Sequence, residues 1–241
     1  MPLILSNDDG VHAPGLATLH EVLLERGDCL IVAPSGPQSG VGHAVTTMEP
    51  MTLEEHAPGR FGLEGTPADC ARIALGRQAA FARKQLGDGA LGPDLWLVAG
   101  INHGANLGVD TYTSGTAAAA REAAILGHPA IAISQYVGKH RTIDWTVAAA
   151  RARLALDPLL ARAPRPGFFW NVNLPHPTDE SSDHELVFCP LDPSPHRFDY
   201  EDRDGILQVI TDYHDRPRRP EHDVDVCLGG RIAITEIPIQ S

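Results

Sequence analysis

The sequence predicts an α/β protein: a Rossmann-like, doubly wound, mostly parallel sheet followed by a β-rich C-terminal extension. Three observations predict it. Short continuous apolar runs, "LILSN", "CLIVAP", "DLWLVAG" and "PAIAIS", recur through the first 135 residues, and such runs suit strands covered on both faces by helices. Segments with apolar residues at helical spacing alternate with them. From about residue 176 the composition shifts to Pro, Asp and His and the apolar runs shorten. The expected division is a core over 1–175 and an extension over 176–241, with a hairpin and tail that partly returns to the core.

The elements follow in order. "LILSN" reads as a short buried strand, and "GLATLHEVLLERG" as a helix carrying Leu16, Leu19, Leu23 and Leu24 and stopping at Gly27. "CLIVAP" is a second strand ending at Pro34. Short alternating pieces between 45 and 65 predict a hairpin excursion. "TPADCARIALGRQAAFA" is a helix with Thr66 as cap and Pro67 in its first turn. "DLWLVAG" is a strand, "SGTAAAAREAAILG" a helix capped at Ser114 and ended at Gly127, and "PAIAIS" a strand. Beyond it, "IDWTVAAARARLALDPLLARA" is helical, while "FFWNVNLP", "ILQVITDY" and "RIAITEIPI" are strand-like. Trp96, Trp145 and Trp170 lie in apolar runs and are expected in the core.

Composition narrows the function classes. The 241 residues carry 43% hydrophobic and 21% charged residues, with a formal net charge of −12. Such a charge repels long nucleic acid, and the one basic cluster is "DRPRRPE". No apolar run reaches the roughly 18 residues of a membrane span. Four scattered cysteines with no CxxC pair, and no basic start followed by an apolar core, predict a cytoplasmic protein without a zinc ribbon.

Three polar loops follow strands and are expected to open on one edge of the sheet, where ligands gather in such folds. The first is "SNDDG". If Asp8 and Asp9 faced one point, two charges about 4 Å apart would cost roughly 4 kcal/mol at an effective dielectric near 20. A cation or a shared proton would be needed there. Hard oxygen donors favour Mg²⁺ or Mn²⁺ over zinc. The alternative is a plain turn, with one aspartate in solvent and the other capping. The two readings are compatible, because Asn7 and Gly10 can make the turn while Asp8 and Asp9 meet a cation.

The second loop, "APSGPQSGVGHAVT", brings Ser39, Gly42 and His43. Its glycines let backbone N–H groups approach an anion without matching a P-loop. His43 is otherwise a hydrogen-bonded loop histidine. The third loop, "AGINHGANLGVDTYTSGT", offers Asn102 and Asn106 as amide ligands. Its Ser114-Gly115-Thr116 opens a helix, where free N–H groups and the dipole make a phosphate seat. Ordinary N-capping by Ser114 or Thr116 fits the same residues. Arg121 and Glu122 on that helix read as a solvated face or an ion pair. His12 and His103 lie in the candidate loops and are lesser candidates for touching a ligand.

The stretches "ILSNDDGVHAPGL", "VAPSGPQSGVGHAVT", "GTPADCARIAL", "GINHGANLGVDTYTSGTAAAAREAAILG" and "WNVNLP" resemble, in this order, the SurE family of survival-protein nucleotidases. That resemblance implies metal-dependent hydrolysis of nucleoside 5′- and 3′-monophosphates, with short polyphosphate as a further substrate in some members. It implies one divalent ion, Mg²⁺ or Mn²⁺, on Asp8, Asp9, Ser39 and Asn102, with phosphate bound by Asn106, Ser114, Gly115 and Thr116. A homodimer or tetramer built through the C-terminal region is implied as well. The chain departs from the family pattern in three places: "SGPQSG" lacks the arginines common before the metal-binding serine, Ala99 replaces a common serine, and Arg231 stands where an aromatic is usual.

An uncoordinated oxygen of Asp8 or Asp9 is the expected general base, with His43 assisting the leaving oxygen; direct attack by Asp8 is the alternative. A sensor that binds a nucleotide or phosphate through the same loops without turnover is the competing reading. A dinucleotide-dependent oxidoreductase ranks low, because the first strand-to-helix turn lacks GxGxxG.

Overall fold

The computed structural model describes residues 1–87, 95–162, 165–176 and 185–239. Asp94 at the start of "DLWLVAG", and the first part of the compositional shift at 177–184, lie outside the described residues. A central sheet is built from β1 (Leu3–Ser6), β2 (Cys29–Pro34), β3 (Leu53–Ala57), β4 (Arg60–Leu63), β5 (Trp96–His103), β6 (Ala130–Gln135), β7 (Phe168–Leu174), β8 (Leu186–Phe188) and β11 (Ile232–Pro238). Their spatial order is β3-β4-β2-β1-β5-β6-β7-β11-β8. From β4 across to β7 every neighbouring pair is parallel. β3 closes one side antiparallel to β4, and β11 runs antiparallel to β7 and parallel to β8. The chain leaves β1 for β2 on one side and later enters β5 on the other. The crevice between β1 and β5 is therefore the topological switch point, where open α/β sheets place ligands.

Helices cover both faces. α1 (Pro14–Leu23) and α4 (Trp145–Leu160) bury Leu16, Leu19, Leu23, Leu156 and Leu159 against one side of the sheet. α2 (Pro67–Leu86) and α3 (Gly115–Ile125) bury Ala71, Leu75, Ala119 and Ala123 against the other. The caps follow the sequence. Thr66 accepts from the Asp69 N–H and Asp69 returns the bond to the Thr66 N–H, a capping box with Pro67 just inside. Ser114 Oγ accepts the Ala117 N–H, and Asp144 caps α4. Alanine dominates the buried face of α3, so this helix packs close to α2 and the sheet. Trp96 is buried, and Trp145 and Trp170 pack against the core with one side exposed.

Three details differ from expectation, and the expected C-terminal hairpin is present with one strand the sequence did not reveal. α1 ends at Leu23 and a 3₁₀ turn over Leu24–Arg26 continues to Gly27. The 45–65 pieces do form a hairpin, but β4 pairs with β2, so they widen the central sheet instead of leaving it. After residue 176 the chain is not purely β: α5 (Asp223–Leu228) packs with Leu107, Tyr136 and Cys189 in a small separate core. A further strand, β9 (Tyr200–Arg203), pairs with β10 (Ile206–Val209) as an exposed two-stranded hairpin. Polar Tyr-Glu-Asp-Arg carries no apolar alternation, which is why β9 is invisible to periodicity. No helix among the described residues is long and apolar enough to cross a membrane.

Candidate active site

The first loop is a side-chain-tied turn. Asn7 Nδ2 donates to the Gly10 carbonyl at 3.0 Å and Asn7 Oδ1 accepts the Gly10 N–H at 3.2 Å. Gly10 adopts φ +105°, a conformation that L side chains rarely take. The turn leaves Asp8 and Asp9 at the end of β1, beside the switch point. Asp8 is buried; its Oδ1 accepts from Thr116 Oγ1 at 2.5 Å, and its carbonyl accepts the Gln38 N–H at 2.7 Å. Asp9 is half-buried, and its Oδ2 accepts the His103 N–H at 2.9 Å.

Burial pushes the Asp8 carboxyl above its ordinary range, and the neighbouring Asp9 pushes it the same way, against the Thr116 hydroxyl. Burial raises Asp9 too, partly offset by the His103 amide. Two adjacent carboxyls whose ionised forms are disfavoured make a place where a cation relieves both desolvation and repulsion.

The second loop docks on the first and third. Gln38 N–H bonds to Asp8, Val41 N–H to Gln38, and Gly42 N–H to the Thr113 carbonyl at 3.0 Å. Ser39 is exposed at the apex of this turn, ahead of Gly40 at φ +75°. The third loop begins in a bulge of β5, where the pairing with β6 slips between Ala99 and Asn102. Gly100 at φ +141° makes it possible: a Cβ there would sit 2.2 Å from the Ile133 carbonyl oxygen. Asn102 Nδ2 donates to the Gly104 carbonyl at 2.7 Å, which orients the amide so that its oxygen is the atom that could ligate a cation.

Asn106 is held from several sides. Asn173 Oδ1 accepts its N–H, its carbonyl accepts from Asn171 Nδ2 and Asn173 Nδ2, and its own Nδ2 donates to Ser134 Oγ. Asn171 and Asn173 are two apart on β7 and so face one side of the sheet. That alternation stands in "WNVNLP", where only the apolar run had been read. Gly115 packs directly on Asp8: a Cβ at 115 would meet Asp8 Cβ at 2.8 Å and Pro67 Cγ at 2.9 Å. Asp8, Gly115 and Thr116 are thus brought together, with Ser114 capping the helix immediately before them.

His43 is placed elsewhere. Its Nε2 lies 2.7 Å from Glu122 Oε2, and its Nδ1 lies 3.5 Å from Arg121 Nη1. An arginine donating to Nδ1 fits the tautomer in which Nε2 carries the proton to the carboxylate. Glu122 also accepts from Arg72 Nε at 2.6 Å and is buried. Burial would raise its carboxyl, but His43 and Arg72 hold it below the ordinary range. Glu122 follows Thr116 by six residues, roughly 9 Å along the helix. His43 therefore ties the Ser39 loop to the flank of α3. The signal for Glu122 was available: it lies three and four residues beyond Ala119 and Ala118, on the buried face of α3. His12 stacks edge-on with His56 at 4.8 Å, and His103 meets Asp9 through its backbone N–H, with its side chain also favouring the Asp9 carboxylate.

A second buried carboxylate escaped the sequence reading. Asp110 in "GVDTY" accepts from the Leu107 N–H, Tyr213 OH and Arg216 Nη1, and pairs with His196. It binds the third loop to the C-terminal region.

The donor set Asp8, Asp9, Ser39 and Asn102 consists of hard oxygens, two of them carboxylates unfavourably charged without a counter-ion, so it suits a small divalent cation. Among the described residues no group of three or more His, Cys, Asp or Glu side chains is arranged to hold a metal ion by itself.

Comparison with known proteins agrees with this geometry. The family model described as survival protein SurE matches residues 3–192. A Synechocystis sp. protein carrying a provisional 5′-nucleotidase name is 43% identical over 242 residues, covering 99% of this chain and 100% of that protein. The 5′-nucleotidase SurE of Geobacter sulfurreducens is 41% identical over 175 residues, 73% of this chain and 62% of the relative. That of Heliobacterium modesticaldum is 39% identical over 181 residues, 73% and 61%. The crystal structure of the SurE protein from Aquifex aeolicus superposes with a TM-score of 0.82 at 25% identity, covering 100% of this chain and 94% of that one. Sheet order, loop chemistry and a match over most of the length converge on one assignment: the chain belongs to the SurE survival-protein family.

Proposed function

We propose that this protein is a metal-dependent 5′-nucleotidase that hydrolyses nucleoside monophosphates to nucleoside and phosphate at the β1–β5 crevice. The observation that carries the reading is the contact of Asp8 with Gly115 and Thr116, which sets a carboxylate pair against a helix N-terminus. A passive anion site gains nothing from two added carboxylates, Asp8 buried and Asp9 half-buried, unless a metal is present, so the pair favours turnover over a sensor.

Asp8, Asp9, Ser39 and Asn102 would hold one divalent ion, Mg²⁺ or Mn²⁺. Such an ion neutralises phosphoryl-oxygen charge when bound. The chain supplies the rest. The start of α3 at Gly115, with the Ser114 hydroxyl and the Asn106 amide, would orient the remaining phosphate oxygens, while Thr116 donates its hydroxyl to Asp8 and holds that carboxylate in place. The Asp9 oxygen not engaged by His103 is the candidate base for the attacking water. The assignment of His43 to the leaving oxygen is replaced by a positioning role, since both of its ring nitrogens are directed at α3.

The division into a core over 1–175 and an extension over 176–241 belongs to the same proposal, as does assembly into a homodimer or tetramer. Ile206, Leu207, Val209 and Ile210 on and beside the β9–β10 hairpin, each more than half exposed, support assembly. Free cysteines fit a cytoplasmic setting.

The test is phosphate release from a panel of nucleoside 5′- and 3′-monophosphates and short polyphosphate with Mn²⁺ present. Release from 5′-monophosphates is expected. Saturable binding of the same compounds with no phosphate released would favour the sensor reading instead.

A further inference from the structure

Beside the phosphate-binding end of α3 lies a cavity of about 520 Å³. One wall is Asp110 and Thr113 of the third loop; the other is the base of the β9–β10 hairpin and the segment after it. We propose that this cavity is the nucleoside seat, taking the base and sugar of the substrate while α3 takes its phosphate. The proposal rests on the nucleotidase reading and deepens it.

Position is the first argument. Thr113, which lines the cavity, directly precedes Ser114, so one short stretch of the third loop carries both a cavity wall and the cap of α3. Size is the second, since small-molecule sites span roughly 300–1,000 Å³.

Chemistry is the third. Phe198, Val209 and Ile210 give the cavity an aromatic ring and apolar flanks, which suit a flat heterocycle. Its charged lining holds Asp110, Asp199, Asp212 and Asp215 against Arg197 and Arg216, the latter paired with Asp110. A phosphate dianion is repelled there; a neutral, polar, planar group is not.

Rigidity is the fourth. The Asp110 carboxylate binds His196, Tyr213 and Arg216, fastening the far wall to the loop that carries Ser114. The hairpin base is closed by Ile210 N–H to the Asp199 carbonyl at 2.9 Å and Asp199 N–H to Thr211 Oγ1 at 2.6 Å. Phe198 is therefore carried on a frame fastened to the third loop through Asp110.

The experiment uses the full chain and two readouts. In the first, 8-azidoadenosine 5′-monophosphate is photolysed on the protein and the adduct mapped by peptide mass spectrometry. Labelling within 196–213 that adenosine 5′-monophosphate competes away is expected. Phe198→Ala should lower it about ten-fold, within the range for loss of one base–aromatic stack, and Phe198→Tyr should restore it. In the second, kcat/KM for adenosine 5′-monophosphate is compared with that for ribose 5-phosphate. The ratio should fall about ten-fold in Phe198→Ala through the nucleotide alone. Labelling confined to other segments, or an unchanged ratio, overturns the proposal. If neither ester is hydrolysed, the nucleotidase reading fails, and the labelling still decides whether a nucleoside sits here.

Discussion

At the scale of single residues, the two aspartates after β1 are costly unless a cation joins them, whereas Glu122 is stabilised where it stands. Its carboxyl is depressed because the His43 and Arg72 hydrogen bonds outweigh burial. A depressed carboxyl contributes stability above its unfolded pKa and loses it as pH falls through its folded value. Glu122→Gln should therefore cost about 2 kcal/mol at neutral pH, in the range for hydrogen bonds to a charged group. The difference from wild type should close on acidification below the ordinary glutamate value of about 4.3, as the native carboxyl protonates. Urea unfolding across that range measures it; a gap that stays constant with pH would refute the charge argument. The meeting of the loops that carry Asp8, Asp9, Asn102 and Ser114 was legible in the sequence because each loop is chemically unusual over a few residues and follows a strand. The burial of Glu122 was legible from its place beyond Ala118 and Ala119, but its pairing with His43 and that of Asp110 with Arg216 were not, because these partners lie 79 and 106 residues away.

Elements translate those contacts into geometry. α3 touches Asp8 through Gly115, whose missing side chain lets helix and turn meet. Gly115 has no positive φ, so alanine there meets crowding rather than backbone strain. Gly115→Ala should displace Asp8 and lower kcat/KM at least ten-fold while shifting Tm by only a few degrees. Parallel melting curves and initial rates separate the two effects; equal loss of stability and activity would show that the contact is merely structural. Strands and helices with strong periodicity were readable from the sequence. β9 and α5 were not: β9 is short and polar, and α5, Asp-Val-Asp-Val-Cys-Leu, alternates as a strand would and takes helical form from its tertiary neighbours. The hairpin of β3 and β4 was readable, but its pairing with β2 was not, since alternation reports a strand without naming its partner.

Across the whole molecule, the sheet brings three loops from residues 7–10, 34–46 and 102–116 to one crevice, and Asp110 couples that crevice to the C-terminal region. Arg216→Ala leaves the buried Asp110 without its arginine and should cost about 3 kcal/mol. Limited proteolysis should then cut between 196 and 222 well before the core. Cleavage no faster than wild type would mean that the ion pair does not fasten that wall. Fold class was evident from alternation along the chain, but the return of β11 between β7 and β8 needed long-range pairing that no local pattern encodes. The central claim is that the carboxylate pair works only with a cation. Its most direct test is phosphate release from a nucleoside 5′-monophosphate by chelator-stripped protein as Mn²⁺ is titrated back. The rate should rise from near zero and saturate at one ion per chain; a rate indifferent to chelator and metal would contradict the account.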